Sequence, residues 1–216
     1  MMSDIIYSLP FLWDGLLVTL QVSFLVLVIA TSLGILGGIT LAYGTALLRW
    51  PIRAYVDIIR GIPVLVLIFS VYYGFPALGI NIGNFAAGVT ALAGFSAAHV
   101  TEITRGALQS IHHGQMEAGK SIGLTFVQRL AYVILPQAMR RFLPPWINSV
   151  TEMVKGSALI SLVGIVDLLL SAQQVIGRIY RPMPLYITAA FFYFIINYSL
   201  SSTSRWVETR FSYVNK

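Results

Sequence analysis

Three long stretches of this chain contain no Asp, Glu, Lys or Arg: residues 15–48, 61–101 and 182–204. Each stretch is longer than the roughly 18 mostly apolar residues that indicate a transmembrane helix. Only 10% of the residues are charged and 57% are hydrophobic, whereas an ordinary soluble domain carries about 25% charged residues. The sequence therefore predicts an all-α integral membrane protein and excludes a soluble fold.

Five membrane-spanning helices are predicted from these stretches. Gly, Pro and Asn residues between positions 74 and 84 divide the second stretch into two spans, because these residues interrupt helices. The predicted helices cover residues 12–48, 58–73, 85–108, 146–163 and 185–204. We expect a single transmembrane domain over residues 1–216, with a cytoplasmic loop at about 109–136.

The first predicted span has the features of a retained and closely packed helix. Its apolar core is longer than the roughly 7 to 15 residues of a cleavable signal, and the acidic Asp4 and Asp14 precede it. We therefore expect it to stay in the mature protein. Gly34 and Gly38 form a small-xxx-small pair, which predicts the close approach of another helix.

Lys and Arg residues fall mainly on one side of this predicted topology. If the amino terminus is outside, the outer side holds only Arg178 and Arg181. The inner side then holds Arg49, Arg53, Arg60, Arg105, Lys120, Arg129, Arg140, Arg141, Arg205, Arg210 and Lys216. Because cytoplasmic loops carry an excess of basic residues, the amino terminus is predicted outside and the carboxyl terminus in the cytoplasm. The same asymmetry explains the net charge of +6, so we expect no nucleic-acid partner.

Residues 114–121, GQMEAGKS, match the spacing of a phosphate-binding loop. Such a loop needs a buried strand before it and a helix after it, but the preceding residues leave a predicted membrane helix. Glu117 would also place a carboxylate among phosphate oxygens. The sequence LVGIVD, ending at Asp167, imitates a magnesium-holding motif but lies on the predicted outer side. We therefore expect this chain to have no catalytic residue and to bind neither ATP, a metal ion nor another cofactor.

The same loop is predicted to form two short cytoplasmic helices. The first covers residues 115–121, and Gly123 is suited to the left-handed residue that ends a helix. Thr125 and Gln128 form a capping box that starts the second helix. Pro136 is expected to stop that helix. Its predicted apolar face consists of Phe126, Val127, Leu130, Val133 and Ile134.

These residues resemble the EAA loop of ABC importer permeases. Glu117-Ala118-Gly119, Gly123 and Ile134-Leu135-Pro136 follow its pattern of Glu-Ala-Ala, a Gly some four residues later, and a hydrophobic-Leu-Pro. The resemblance implies the type I ABC importer permease fold, in which the first helix of the loop, the coupling helix, docks on a separate cytoplasmic ATPase. The implied ATPase-docking residues are Gly114, Gln115, Glu117, Ala118, Gly119, Ser121, Gly123 and Leu124.

Further segments are similar to permeases for polar amino acids of the histidine, glutamine, glutamate and arginine type. They are residues 55–63, 102–107, 114–115 and 135–138. Two departures stand out. Gly119 occupies a position where that family commonly has Ala, and residues 155–159, Lys-Gly-Ser-Ala-Leu, replace the usual Lys-Asp-Thr-Ser-Leu, which removes an acid near the fourth predicted helix.

The resemblance implies the permease subunit of an ATP-driven importer in a bacterial inner membrane. The implied partners are ATPase subunits that carry ATP and Mg²⁺, a second permease subunit, an extracytoplasmic substrate-binding protein and a polar amino acid substrate. ATP-driven closure would draw the coupling helices together and open the pathway outward. The particular amino acid, and the choice between an identical and a homologous second permease, stay open.

Ionisable residues at membrane depth are costly and commonly functional. Glu102 with Arg105, and Glu152 with Lys155, lie three residues apart and can form ion pairs on predicted helices. Both pairs have a purely structural interpretation, but an amino acid carries both charges and needs complementary partners. Glu102, Glu152, Lys155 and His99 are therefore candidate substrate-pathway residues, with a packed, hydrogen-bonded histidine as the alternative for His99. His112 and His113 are predicted to be solvated loop residues.

Two other classes of function compete with the permease interpretation. An enzyme, either an ATPase or an intramembrane hydrolase, lacks a nucleophile-and-base motif here. An autonomous channel or secondary transporter for small polar solutes leaves the Glu117 loop unexplained.

Overall fold

The computed structural model describes the backbone of residues 2–212 and the side chains of residues 7–206 and 209. These residues form helices joined by short turns. The α-helices are α1 (Met2–Tyr43), α2 (Ala46–Gly61), α3 (Val64–Ala77), α4 (Gly83–Gln109), α5 (His113–Ser121), α6 (Phe126–Gln128), α7 (Leu135–Gly156), α8 (Leu168–Ile179) and α9 (Pro182–Ser212). A π-helical segment (Arg129–Ile134) joins α6 to α7, and a 3₁₀ segment (Ser157–Val163) follows α7. The all-helical prediction is confirmed.

Glycines on α1 allow it to pack closely on α4. A Cβ atom added to Gly34 would lie 2.4 Å from the Cβ of Val100, and one added to Gly38 would lie 2.3 Å from the Cβ of Thr104. Non-bonded carbons do not approach so closely, so neither position has room for a side chain. The predicted close approach is confirmed, and α4 is the partner helix.

The second predicted helix, residues 58–73, is wrong because the chain bends sharply inside it. These residues are divided between α2 and α3, whose axes differ by 108°. Pro63 disfavours helical geometry at the residue before it, and Ile62 is accordingly extended, with φ −103° and ψ 133°. The basic segment before residue 58 belongs to α2, with Pro51 accommodated inside that helix.

The second helix of the loop continues where the sequence predicts a stop. Helical structure runs from α6 through the π segment and α7 into the 3₁₀ segment, over Phe126–Val163. Pro136 lies in the first turn of α7, where a missing N–H costs least. The wider turns of the preceding π segment accommodate the change in hydrogen bonding. The fourth predicted helix therefore begins earlier than residue 146.

The sequence places residues 168–179 in a loop, which is wrong, because they form α8. Asp167 is the N-cap of this helix: its Oδ1 accepts a hydrogen bond from the N–H of Leu170 at 2.8 Å. The Tyr193 hydroxyl on α9 donates to the other carboxylate oxygen at 3.3 Å. Gly164 has φ 80°, which turns the chain before the cap. Asp167 is fully buried and ties α8 to α9.

Two described segments are each long and apolar enough to span a membrane: Tyr7–Tyr43 and Pro182–Trp206. Up to two further spans result if each of two bent pairs, α2 with α3 and Phe126–Val163 with α8, is counted as one. Helix α4 has 27 residues, about 40 Å at ~1.5 Å per residue, but it packs against α1, α2, α3 and α7 and needs few apolar residues toward lipid. The count of five spans stays a prediction. Lys216 and the Arg210 side chain, used in the charge argument, lie outside the described residues.

Candidate functional site

Helix α5 is closed at both ends by local hydrogen bonds. His112 is its N-cap, and Nδ1 of that ring accepts a hydrogen bond from the N–H two residues later at 3.1 Å. Gly123 has φ 83°; its N–H donates to the Lys120 carbonyl at 3.0 Å, and the Leu124 N–H donates to the Gly119 carbonyl at 3.0 Å. This is the Schellman pattern of a glycine-terminated helix. The predicted helix end is confirmed, whereas His112 is a cap rather than a free loop residue, and His113 begins the helix.

The phosphate-loop interpretation of residues 114–121 does not fit this geometry. A phosphate-binding loop folds its backbone N–H groups around the anion, but these residues lie inside α5 and the turn after it. Within residues 2–212 no strand precedes them. Asp167, the supposed magnesium ligand, is the buried cap of α8.

Five of the eight predicted docking residues are exposed, four of them on α5 and Gly123 in the turn after it. The Glu117 side chain is 71% exposed, and Nδ1 of His113 lies 3.3 Å from its carboxylate. The other docking residues divide into exposed Gln115, Ala118, Ser121 and Gly123, half-buried Gly114 and Leu124, and buried Gly119. An accessible carboxylate on a short helix is therefore available to another protein.

The opposite side of α5 packs against the ends of longer helices. Met116 contacts a cluster built on buried Leu108 of α4, Ile134 of the π segment and Ala138 of α7, with Ile39 of α1 at its edge. This contact connects α5 to a hydrophobic cluster that α4, the π segment and α7 share.

The second helix of the loop starts at the predicted capping box. The Gln128 N–H donates to the Thr125 hydroxyl at 3.4 Å, and the Thr125 N–H donates to the Gln128 side chain at 2.9 Å. The predicted apolar face is right for Leu130, Val133 and Ile134, which pack inward. Phe126 is 44% exposed, but its ring packs edge-on against Tyr43 of α1 with the ring centres 5.7 Å apart. The prediction is wrong for Val127, which is 71% exposed.

Glu102 forms the centre of a charge cluster between α2 and α4. Its carboxylate lies 2.6 Å from Nη2 of Arg105, 2.9 Å from Nη1 of Arg53 and 4.0 Å from Nη1 of Arg60. The predicted pair with Arg105 is confirmed. Asp57 lies 4.0 Å from Arg53 and adds a weak second acceptor. One carboxylate thus bridges three guanidinium groups, and the cluster keeps an excess of positive charge.

We expect Glu102→Gln to destabilise the protein by about 2 kcal/mol, because it removes charge-assisted hydrogen bonds and leaves the arginines facing one another. The change is measured as a lower melting temperature of the purified chain in detergent. Glu152→Gln is the matched control: it breaks an exposed ion pair, worth less than about 1 kcal/mol. Equal melting temperatures for the two variants would contradict the structural role of Glu102.

The four candidate substrate-pathway residues line one open cavity of about 850 Å³. Glu102 and His99 reach it from α4, and Glu152 and Lys155 reach it from α7, while Arg60, Leu159 and Ser201 bring α2, the 3₁₀ segment and α9 to its wall. These residues are far apart in sequence, so the cavity depends on helix packing.

The structure shows a predicted ion pair and a predicted histidine hydrogen bond at the wall of the cavity. Nζ of Lys155 lies 2.9 Å from Oε1 of Glu152, with side chains 54% and 73% exposed. This predicted ion pair is confirmed. Nδ1 of His99 lies 3.0 Å from the Phe95 carbonyl, so His99 is hydrogen-bonded as in the structural interpretation and also faces the cavity.

Sequence reasoning missed two arginines of the Glu102 cluster. Arg53 and Arg60 were available as a signal, because they are seven residues apart and so occupy the same face of a helix two turns apart. The pattern can be recognised only if residues 49–53 are assigned to a helix. The sequence prediction instead leaves them between the first predicted helix, which ends at residue 48, and the second, which begins at residue 58. Arg129, described below, was likewise counted only as an inner-side charge.

Comparisons with known proteins agree with this architecture. A family model described as binding-protein-dependent transport system inner membrane component matches residues 34–213. The Probable glutamine ABC transporter permease protein GlnP of Bacillus subtilis (strain 168) is 37% identical over 206 residues, which cover 94% of each chain. The glutamine transport system permease protein GlnP of Escherichia coli (strain K12) is 34% identical over 205 residues, again 94% of each chain.

A solved structure shares the whole arrangement of helices. A chain in a crystal structure of an amino acid ABC transporter with histidines is 34% identical, has a TM-score of 0.89 and matches over 97% of each chain. The chain therefore has the type I ABC importer permease fold and belongs to the family of binding-protein-dependent transport system inner membrane components, the membrane permease subunits of ABC importers.

Proposed function

We propose that this chain moves polar amino acids across a bacterial inner membrane and is driven by a separate ATPase that docks on α5. The observation that carries the proposal is the two-sided environment of α5. Its Glu117 surface is open to a partner, while Met116 packs against a hydrophobic cluster to which α4, the π segment and α7 each contribute a buried residue. A push on α5 would therefore reach helices that line the cavity. The relatives named for glutamine support the substrate class.

In this proposal the cavity containing Glu102, Glu152, Lys155 and His99 is half of the translocation pathway. The cavity is not enclosed by the described residues, as expected if a second permease subunit, identical or homologous, completes it. An amino acid carries an ammonium and a carboxylate group, and the cavity offers both acidic and basic partners. An extracytoplasmic binding protein would deliver the substrate.

The proposed topology has five spans, with α4 as the span that exposes the least apolar surface. The amino terminus is outside and the carboxyl terminus is cytoplasmic, because this orientation keeps α2, α5 and their basic residues inside. Helix α5 then faces the cytoplasm, which is the compartment that holds ATP. The ATP and Mg²⁺ belong to the partner subunit.

We expect the detergent-purified chain alone to hydrolyse no ATP, and the same chain to support hydrolysis once the cytoplasmic subunit that copurifies from native membranes is added. The reason is that the GQMEAGKS residues are helical and cannot surround a phosphate. Phosphate release is measured with and without the partner. Lys120→Ala should leave nucleotide binding by the complex unchanged.

Hydrolysis by the chain alone, abolished by Lys120→Ala, would instead support the enzyme alternative. Amino acid uptake into vesicles that contain the chain but no ATPase would support the channel or secondary transporter alternative. Either result would overturn the proposed function.

A further inference from the structure

A second contact, separate from the Met116 cluster, joins α5 to the helix that follows it. Gly119 is the buried residue of α5. A Cβ atom added there would lie 2.8 Å from Cγ and 3.2 Å from Cδ of Arg129. The methylene stem of Arg129 therefore occupies the space that a side chain at position 119 would need.

The rest of the Arg129 side chain contacts residues on both sides of the turn that follows α5. Its Nη1 donates to the Met116 carbonyl of α5 at 3.4 Å, and its Nε donates to the Thr125 carbonyl at 3.4 Å. The guanidinium carbon lies 6.0 Å from the centre of the Phe126 ring, within reach of a cation–π contact. One side chain thus touches α5, the turn after it and α6.

We propose that Arg129, seated on Gly119, is the positioning residue that makes α5 and the long helix Phe126–Val163 move as one body. The proposal rests on the proposed function, because it concerns how motion of the docking helix reaches the membrane. Arg129 does not touch substrate or nucleotide.

The covalent link between the two helices could not transmit such motion by itself. It is a short exposed turn through Ile122 and Gly123, and its backbone hydrogen bonds run back to the Lys120 and Gly119 carbonyls of α5 and not to the long helix. Met116 and a hydrogen bond from the Gln137 side chain of α7 to the Gln115 side chain, at 3.4 Å, hold the amino-terminal half of α5, so a second contact near the other end is needed to stop α5 from rotating about the first. Gly119 and Arg129 supply that second contact.

The pairing also explains the departure at position 119. In the family that the chain resembles, Ala is common there, and Ala would favour the helix. In this chain an Ala Cβ would displace the Arg129 stem. Gly at position 119 therefore costs some helix propensity in α5 but leaves room for the Arg129 side chain.

The first test measures amino acid transported per ATP hydrolysed by the reconstituted complex. We expect Arg129→Ala and Gly119→Ala each to lower this ratio by about fivefold, the low end of typical coupling effects, while the ATPase still copurifies. The double variant Gly119→Ala/Arg129→Ala should recover much of the loss, because the new methyl group enters the space that the arginine vacates. Arg129→Lys keeps the stem and should lie between Arg129→Ala and the native chain.

Two matched variants control for the substitutions themselves. Gly106→Ala changes an exposed helical glycine with nothing within 4 Å of the added Cβ, and Arg49→Ala removes an exposed arginine of α2. Both should keep the native ratio. Additive losses in the double variant would overturn the proposal.

A second test measures how rigidly α5 is held against the π segment, and it does not depend on transport or ATP hydrolysis. The chain contains no cysteine, so when it is labelled before its partners are added, spin labels on Lys120→Cys and Tyr132→Cys measure the distance between α5 and the π segment. We expect a narrow distance distribution in the complex and a broader one after Arg129→Ala. If Arg129→Ala changes neither the width of the distance distribution nor the transport ratio, the positioning role of Arg129 is refuted but the proposed function is not. If the native complex shows no partner-dependent ATP hydrolysis, the proposed function is refuted as well.

Discussion

Glu117→Lys should reduce ATP-driven amino acid uptake by at least about tenfold while the chain still inserts into the membrane. Glu117 is the exposed carboxylate of α5, and placing like charges against each other at a protein interface costs several kcal/mol, where each ~1.4 kcal/mol is tenfold in affinity. The substitution buries nothing and breaks only the weak contact with His113. Uptake into proteoliposomes and copurification of the ATPase measure the two parts of the effect.

Two control variants distinguish a loss of ATPase docking from an effect of changing the charge of the chain. Glu117→Gln keeps the shape and removes only the charge, so it should fall between Glu117→Lys and the native chain. Asp57→Lys reverses another exposed carboxylate on the predicted cytoplasmic side, where its contact with Arg53 is a long 4.0 Å, and should leave copurification intact. Normal uptake by Glu117→Lys would refute the docking role of α5.

Gly38→Leu should destabilise the protein by about 3 kcal/mol or more, near the upper end of the cost of overpacking. Even a Cβ atom at this position would lie 2.3 Å from the Cβ of Thr104 and 2.8 Å from the Thr101 carbonyl oxygen. Backbone atoms on α4 cannot move aside as a flexible side chain would, so α1 and α4 must separate. The expected readouts are a lower melting temperature in detergent and a lower yield of monodisperse protein.

Gly106→Leu is the matched control on the partner helix. Gly106 is exposed and has open space around an added Cβ, and Leu favours a helix over Gly by up to about 1 kcal/mol. Its melting temperature should equal or exceed that of the native chain. A normal melting temperature for Gly38→Leu would show that the α1–α4 contact is less close than the structure describes.

Local signals in the sequence predicted the elements whose geometry depends on near neighbours. The Gly123 helix end and the capping box of Thr125 and Gln128 follow from hydrogen bonds within a few residues, and both are confirmed. The Asp167 cap before an apolar run was a local signal of the same kind, but the membrane-span assignment took precedence over it and α8 was missed.

The two prolines in wrongly predicted helices, Pro63 and Pro136, differ in outcome: the break at Pro63 follows the local rule for the residue before a proline, whereas the chain stays helical through Pro136. Both residues discourage helix, yet one lies at a 108° bend between two helices and the other lies within a continuous helical run. The backbone before the two prolines differs: a π segment precedes Pro136, while Ile62 before Pro63 is extended.

The sequence by itself determined the membrane class, the helix end at Gly123 with the capping box after it, and the small-residue face of α1, because composition and short-range patterns encode them. Only the tertiary structure decided that Glu102 gathers arginines from α2, that four distant polar residues share one cavity, and that Arg129 occupies the space left by Gly119. These contacts join residues on different helices, and helix packing, which no local pattern specifies, fixes which side chains meet.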